Sequence, residues 1–271
     1  MYYVFKKWEK FKKKLKGKYL FIFLDYDGTL TPIVKNPERA ILSGETRGRL
    51  KALSENSCSK IAIISGRSLQ DVKNKFGLIN IIYSGNHGLE IEGPKIRYLS
   101  RVSAEYRKIL DRIKDELGQK IDSFPGAFIE DKGLSLTLHF RLVNPIQLPL
   151  VKTAFHEAVI LHLVANKIKI KAGKMVLEVR PVSEWDKGKV VLWLLFRQKF
   201  AGAKAKVLPV YIGDDITDED AFKALQHLGI TIFVGKPKSS YAHYYLRNPD
   251  EVKDLLGRII KLQEETGLCR C

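Results

Sequence analysis

Tyr19-Leu20-Phe21-Ile22-Phe23-Leu24, followed by Asp25-Tyr26-Asp27-Gly28-Thr29-Leu30-Thr31, is the stretch on which the fold turns. Six apolar or aromatic residues without a charge read as a buried strand. The run stops at two carboxylates, and Gly28 gives the chain freedom to turn just after them. Carboxylates at the carboxyl end of a buried parallel strand lie where open α/β sheets bind ligands. A core strand has no need of Asp25 and Asp27, and burying two unpaired charges is costly. A bound cation is the cheapest way to hold them together. Taken alone, Asp-x-Asp-Gly is also an ordinary polar turn. The strand before it and Thr29 after it weigh towards a site.

Outward from that stretch, the 271 residues are 45% hydrophobic and 28% charged, the balance of a soluble globular chain. This length can bury one large core, or a core with a smaller insertion. No apolar run approaches the roughly 20 residues of a membrane span. The basic N-terminus lacks the apolar core and cleavage site of a signal peptide. A cytoplasmic enzyme without stable membrane insertion is expected, with a monomer as the default. Lys and Arg number 47 against 30 Asp and Glu, a net +17 that attracts anions. No zinc-finger spacing or RNA-binding sheet signature accompanies the charge. Nucleic acid is therefore not an expected partner, and the excess reads as a solvated surface. Cys58, Cys269 and Cys271 are too few for a disulfide scaffold, and Cys58 reads as a plain thiol. The Cys-Arg-Cys end lacks the four-residue prenylation form and reads as a frayed tail.

Residues 1–18 carry eight lysines, with Phe5, Trp8, Phe11 and Leu15 at three- and four-residue spacing. This is a basic amphipathic helix whose apolar side docks on the protein's own core, a membrane surface being the alternative. After Pro32 and Pro37, Ser43 opens a helix to about residue 54. Residues 61–64 form a second strand, 69–76 a helix and 79–83 a third strand, ending in Ser84-Gly85-Asn86-His87-Gly88-Leu89-Glu90. Alternating strands and helices imply parallel pairing with right-handed crossovers. Near residue 91 the pattern changes. A helix over 103–118, strands over 127–130 and 134–141, a helix to about 164 and a hairpin over 167–180 make an α+β module over 91–184. Leu134, Leu136, Leu138 and Phe140 alternate with Ser135, Thr137 and His139, the mark of a half-buried strand. From Trp185 the first pattern resumes, with a helix opened by Lys187, a strand over 207–212, a short helix, a strand over 230–234 and a helix over 249–264. The fold class is α/β, with a parallel core over 19–90 and 185–271.

Strand ends and one helix start carry Asp25 with Asp27, Ser65, Lys187, and Asp214 with Asp218. Parallel strands bring their carboxyl ends to one edge, so these groups can converge. Each has an ordinary reading: Ser65-Gly66-Arg67 as a helix N-cap, Lys187 as a solvated lysine, the acidic run over 214–220 as a helix start favoured by the dipole. In this order and at these places they read as one site.

DYDGTLTP, SGR, GNHGLE, DKGK and GDDITDEDAF together resemble the motifs of the haloacid dehalogenase (HAD) superfamily and, within it, the trehalose-6-phosphate phosphatase family, over roughly residues 19 to 245. The resemblance implies a HAD-like Rossmannoid core with a mixed α/β cap of the C2B type, inserted between the second and third motifs. It implies that Asp25 attacks phosphorus and that Asp27 is the general acid and base. Ser65 and Lys187 then hold phosphoryl oxygens, and Asp218 orients Lys187 or a metal-bound water. Mg2+ is implied as cofactor, held by the Asp25 carboxylate, the Asp27 backbone carbonyl and Asp214. Substrate contacts are implied at Gly66, Arg67, Asn86 and His87, and in the cap at Glu130, Lys132, Arg141, Lys174 and Glu178, where the family grips sugar hydroxyls. Trehalose 6-phosphate is the expected substrate. Asp27, where superfamily ATPases carry Thr, favours rapid turnover. The alternation over 134–141 argues against the small helical cap of a one-hexose mutase. Two alternatives stay open: a glucosyl- or mannosylglycerate or other sugar phosphate as substrate, or an anionic lipid or nucleic-acid binder with a vestigial site.

Overall fold

The computed structural model describes residues 1–34, 36–100, 104–183, 185–200, 207–236 and 239–266. The chain divides into two units, Met1–Tyr98 with Trp185–Cys271, and Leu99–Glu184. In chain order the elements are β1 (Tyr2–Tyr3), α1 (Trp8–Leu15), β2 (Tyr19–Leu24), α2 (Gly44–Glu55), β3 (Ser59–Ile64), α3 (Leu69–Phe76), β4 (Ile82–Gly85), β5 (Glu90–Gly93) and β6 (Ile96–Leu99). There follow α4 (Ala104–Ile121), β7 (Phe128–Asp131), β8 (Leu136–His139), α5 (Leu148–Val164), β9 (Ile168–Gly173) and β10 (Val176–Pro181). The chain then returns through α6 (Lys187–Phe200), β11 (Val207–Gly213), α7 (Glu219–Leu225), β12 (Ile230–Val234), β13 (Tyr244–Leu246) and α8 (Pro249–Thr266).

The first unit is built on one sheet in the order β1-β13-β12-β11-β2-β3-β4-β5-β6. β2 lies centrally, parallel to β11 on one side and β3 on the other, with β4 parallel beyond β3. Its side chains alternate between two cores. Ile22 and Leu24 share one with Ile61, Ile63, Leu50 of α2 and Leu255 of α8. Phe21 and Phe23 share the other with Val190 and Leu194 of α6 and Phe222 of α7. A strand covered on both faces must be apolar throughout, which is why β2 shows no polar alternation. Ser43 and Ser68 cap α2 and α3 by accepting from the N–H groups of Thr46 and Asp71 at 3.1 and 3.2 Å.

The N-terminal helix docks as predicted: Phe11 and Leu15 are buried, Phe5 and Trp8 pack on the same core, and the Phe11 ring meets Tyr244 edge-on at 5.1 Å. The third strand starts at Ile82 rather than residue 79. Tyr83 explains this. Its hydroxyl donates to the Leu78 carbonyl at 2.7 Å and accepts from the Leu78 N–H at 3.2 Å, holding the intervening residues as a loop with Ile79 exposed. Residues 91–98 belong with the core sheet, not with the α+β module. β5 turns back antiparallel on β4, a local pairing that resembles the start of a separate module when only the pattern is read.

The second unit has its own antiparallel sheet, ordered β7-β8-β10-β9. Leu110, Ile113 and Leu117 of α4 and Val151, Phe155 and Val159 of α5 pack with Leu136, Leu138 and Val179 of the sheet. Ser135 and Thr137 are buried as well, so this strand is not half-solvated as its alternation predicts. Cys58 is disulfide-bonded rather than a plain thiol. Cysteine number argues against a scaffold of bridges but not against a single one. The C-terminal residues 267–271 lie outside the described residues. Among the described residues, no helix is long and apolar enough to cross a membrane.

Candidate active site

The parallel ladder runs one residue past β2: the Asp25 N–H donates to the Ile212 carbonyl of β11 at 3.0 Å. That bond delivers Asp25 beside Gly213 and Asp214. Lys187 opens α6 and is buried with Asp25 and Asp218. Its ammonium donates to Asp25 Oδ1 at 2.8 Å and to Asp218 Oδ1 at 2.7 Å. Asp218 is saturated: Oδ1 also accepts from the Tyr211 hydroxyl at 2.7 Å, and Oδ2 accepts from the N–H groups of Asp214 and Asp215 at 3.0 and 2.9 Å. One carboxylate thus fixes both the ammonium and the loop that carries Asp214. The Thr29 hydroxyl lies 3.5 Å from Asp25 Oδ2 and 3.4 Å from Asp214 Oδ1.

Burial pushes the Asp25 carboxyl well above its ordinary range; Lys187 opposes that shift, and Asp218 and Asp214 add to it. Burial opposes the charge on Lys187, but Asp218 and Asp25 outweigh it and hold the ammonium charged. Burial and the same carboxylates push the Tyr211 phenol well up, so it stays a donor.

Asp25, Asp214 and Asp218 each place a carboxylate oxygen within 4.8 Å of the other two. Three carboxylates around one ammonium leave an excess of negative charge in a buried place, which a divalent cation fits. Because Asp218 is taken up, Asp25 and Asp214 are the carboxylates suited to hold it. The turn after β2 comes very close to them. Gly28 has φ +92°, and a Cβ there would lie 2.2 Å from Asp214 Oδ2, so no other residue permits this approach. Hard carboxylate oxygens suit Mg2+ rather than zinc.

Asp27 is engaged elsewhere. Arg67 grips it with two bonds of 2.7 Å from Nε and Nη2, and also donates to Asp71 at 2.7 Å and to the Pro37 carbonyl at 2.8 Å. Burial opposes the Arg67 charge, and Asp27 and Asp71 more than offset it. The motif pattern groups Arg67 with substrate contacts; in the structure its guanidinium meets two carboxylates and a carbonyl. Ser65 is buried, and its hydroxyl accepts from the Arg67 N–H at 3.1 Å. Asn86 and His87 both have left-handed φ, +47° and +53°, a backbone strain that concentrates at functional loops. The Asn86 amide donates to Glu90 at 2.7 Å. His87 lies on Gly66, where a Cβ would come within 2.3 Å of His87 Nε2.

In the second unit, buried Glu178 accepts from Lys132 at 3.2 Å, Ser135 at 2.9 Å and Arg180 Nε at 2.6 Å. His139 Nε2 and Glu130 are 2.8 Å apart, and His139 stacks on Phe128 at 4.5 Å. Arg141 donates to the backbone carbonyl of Lys174 at 2.7 Å. Glu178 thus organises two cations of its own sheet.

Tyr211 escapes motif reading. The available signal is a phenol inside an otherwise apolar strand, which needs a buried acceptor for its O–H.

The Trehalose-phosphatase family model matches residues 23–250. Probable trehalose-phosphate phosphatase 4 of Oryza sativa is 38% identical over 267 residues, spanning 96% of this chain and 71% of that protein. The C-terminal domain of trehalose-6-phosphate phosphatase from C. albicans superposes with a TM-score of 0.80 at 26% identity, covering 96% of this chain and 98% of that one. A haloacid dehalogenase-like hydrolase from Bacteroides thetaiotaomicron shares the fold, with a TM-score of 0.63 at 18% identity, covering 89% of this chain and 100% of that one. With the matched motifs at the ends of β2, β3 and β11 and at the start of α6, the chain belongs to the trehalose-phosphatase family, phosphoric monoester hydrolases on a HAD-like fold.

Proposed function

We propose that the protein hydrolyses trehalose 6-phosphate to trehalose and phosphate, with Mg2+, through an aspartyl-phosphate on Asp25. The observation that carries this reading is the buried contact of Lys187 with Asp25 at 2.8 Å, with Asp214 in the same carboxylate cluster. An Asp25 oxygen attacks phosphorus as the P–O bond to the sugar breaks. Two displacements replace one very slow hydrolysis. Asp27 gives its proton to the departing sugar oxygen. Water then attacks phosphorus, Asp27 takes the water proton, and the bond to Asp25 breaks to free phosphate. Asp27 ends as it began. To act, it must exchange the Arg67 fork for the ester oxygen. Lys187 and the Ser65 hydroxyl hold phosphoryl oxygens as charge develops. Asp218 acts through Lys187 and through the Asp214 backbone. Asp25, Asp214 and the Asp27 carbonyl would hold Mg2+, which would supply positive charge to offset that of the phosphoryl group.

Sugar recognition is assigned to Glu130, Lys132, Arg141, Lys174 and Glu178 of the inserted unit, Leu99–Glu184, and Gly66, Asn86 and His87 of the first unit are assigned as further substrate contacts. Arg67 is reassigned to holding Asp27. A monomeric, cytoplasmic enzyme is the proposed setting. The test is phosphate release over a panel of trehalose 6-phosphate, glucose 6-phosphate, and glucosyl- and mannosylglycerate phosphates, with Mg2+ and with chelator. Trehalose 6-phosphate should show the highest kcat/KM, and only with Mg2+. A glycerate sugar phosphate ahead of it would reassign the substrate, and no release from any of them would remove the catalytic reading.

A further inference from the structure

Residues 1–18 hold eight lysines against one acid, Glu9, so this short segment supplies seven of the seventeen net positive charges. The proposed chemistry uses none of them. The structure shows how they are arranged. The apolar side of α1 is spent on the core, and Arg258 covers its flank, stacked over Phe5 at 4.5 Å and Trp8 at 5.1 Å. At about 100° per residue, Lys10 and Lys13 of α1 turn away from buried Phe11 and Leu15, while Lys14 lies at the edge of that face with its ammonium 5.5 Å from the Tyr244 ring centroid. Lys6 and Lys7 in the turn before α1 extend the same outward face. All five are exposed, as is Lys16 beyond the helix. Lys12 is the lysine that finds an acid, Glu9 at 3.3 Å. Among the described residues, Lys6, Lys7, Lys10, Lys13 and Lys14 form no ion pair. Like charges three and four residues apart on a helix repel one another. A polyanion outside the chain is the complement of such a face.

We propose that the outward face of α1 is a docking surface for an anionic lipid bilayer, on which the protein rests through lysine heads without inserting. The chemistry favours lipid over nucleic acid. The face is lysine alone, compact point charges without the planar fork that reads phosphate and base edges. Its aromatic residues, Trp8 and Phe11, face the core and offer bases no stacking platform. Clusters of four to eight basic residues on an amphipathic helix match anionic headgroups, at about a fivefold gain in binding per lysine. With the apolar side buried in the fold, the attraction is electrostatic and weakens with salt.

The experiment uses the full chain and vesicles of phosphatidylcholine, alone or with a minor fraction of phosphatidylserine. Two variants are compared at equal net charge. In one, Lys6, Lys7, Lys10, Lys13 and Lys14 become Gln; in the other, exposed Lys51, Lys108, Lys152, Lys169 and Lys261 become Gln. Wild type and the second variant should sediment with phosphatidylserine vesicles and not with phosphatidylcholine alone. The first variant should lose at least about a hundredfold in vesicle binding, with turnover and thermal unfolding unchanged. Equal losses in both variants would make net charge the cause and overturn the surface. Retained vesicle binding with lost oligonucleotide binding in the first variant would make the partner a nucleic acid, and overturn it too. A measurement on wild type alone stands beside these: vesicles should protect Lys7, Lys10 and Lys13 from acetylation but not Lys108 and Lys152, and even protection would also overturn the proposal.

Discussion

Asp25 faces one ammonium and two further carboxylates in a buried place, and this determines what its substitution does. Asp25→Asn should abolish phosphate release while leaving the fold intact, as checked by a turnover assay beside thermal unfolding. The same substitution tests the electrostatics. Burial and neighbouring acids raise the Asp25 pKa well above its ordinary value of 3.8. The folded protein therefore holds that proton more tightly than the unfolded chain. Stability from this group is complete below about pH 4 and is lost as pH rises through the raised folded value. With chelator present, the Tm of the Asn variant should gain on wild type as pH rises above about 4, and Mg2+ should shrink that gap. A gap independent of pH would contradict the raised value. Tyr211→Phe removes one of four donors to Asp218. It should cost about 1 kcal/mol of stability and lower kcat about tenfold with KM little changed. An unchanged kcat would mean that Asp218 positions Lys187 without the phenol. The convergence of Asp25, Lys187 and Asp214 was legible in the sequence because each follows a strand or opens a helix. The Arg67 grip on Asp27 was not, because its partner lies 40 residues away and spacing carries no trace of a bidentate contact.

At the scale of elements, β2 and β11 form the frame of the site, and α1 packs on the hydrophobic core that Ile22 and Leu24 of β2 share. Phe11→Ala should cost about 3–5 kcal/mol, because the ring is fully buried against Tyr244 and the first core. Thermal unfolding checks this, and an unchanged Tm would mean that α1 does not dock. The strands β2, β3 and β12 were readable as apolar runs between polar turns, and α3 by the helical spacing of its apolar residues. β1 and β13 were not, with Tyr2–Tyr3 and Tyr244–Leu246 too short to show a period. Their pairing is set by tertiary contact between segments far apart in the sequence, which no local pattern records. Ser135 and Thr137 misled in the opposite sense: clean alternation predicts a wet face, but both are buried, and the Ser135 hydroxyl is committed to Glu178.

For the whole molecule, the order of motifs along the chain was enough to read the core, because parallel strands deliver sequence-distant loops to one edge. The assignment of sugar recognition to the inserted residues is tested by a ratio rather than by a loss. Glu178→Ala would leave Lys132 and Arg180 without their carboxylate, a change costing about 3–5 kcal/mol. Glu178→Gln is the gentler probe. It should lower kcat/KM for trehalose 6-phosphate far more than for p-nitrophenyl phosphate, and equal losses would mean that Glu178 does not serve the disaccharide. The most direct measurement concerns the covalent step itself. An Asp27→Asn protein is quenched in acid while it turns over an aryl phosphate whose good leaving group needs no proton from Asp27, and its peptides are weighed. Asp25 as nucleophile predicts one phosphoryl group on the peptide that contains Asp25, formed only with Mg2+ and removed by hydroxylamine. A phosphoryl group on another residue, or steady phosphate release by Asp25→Asn, would contradict it.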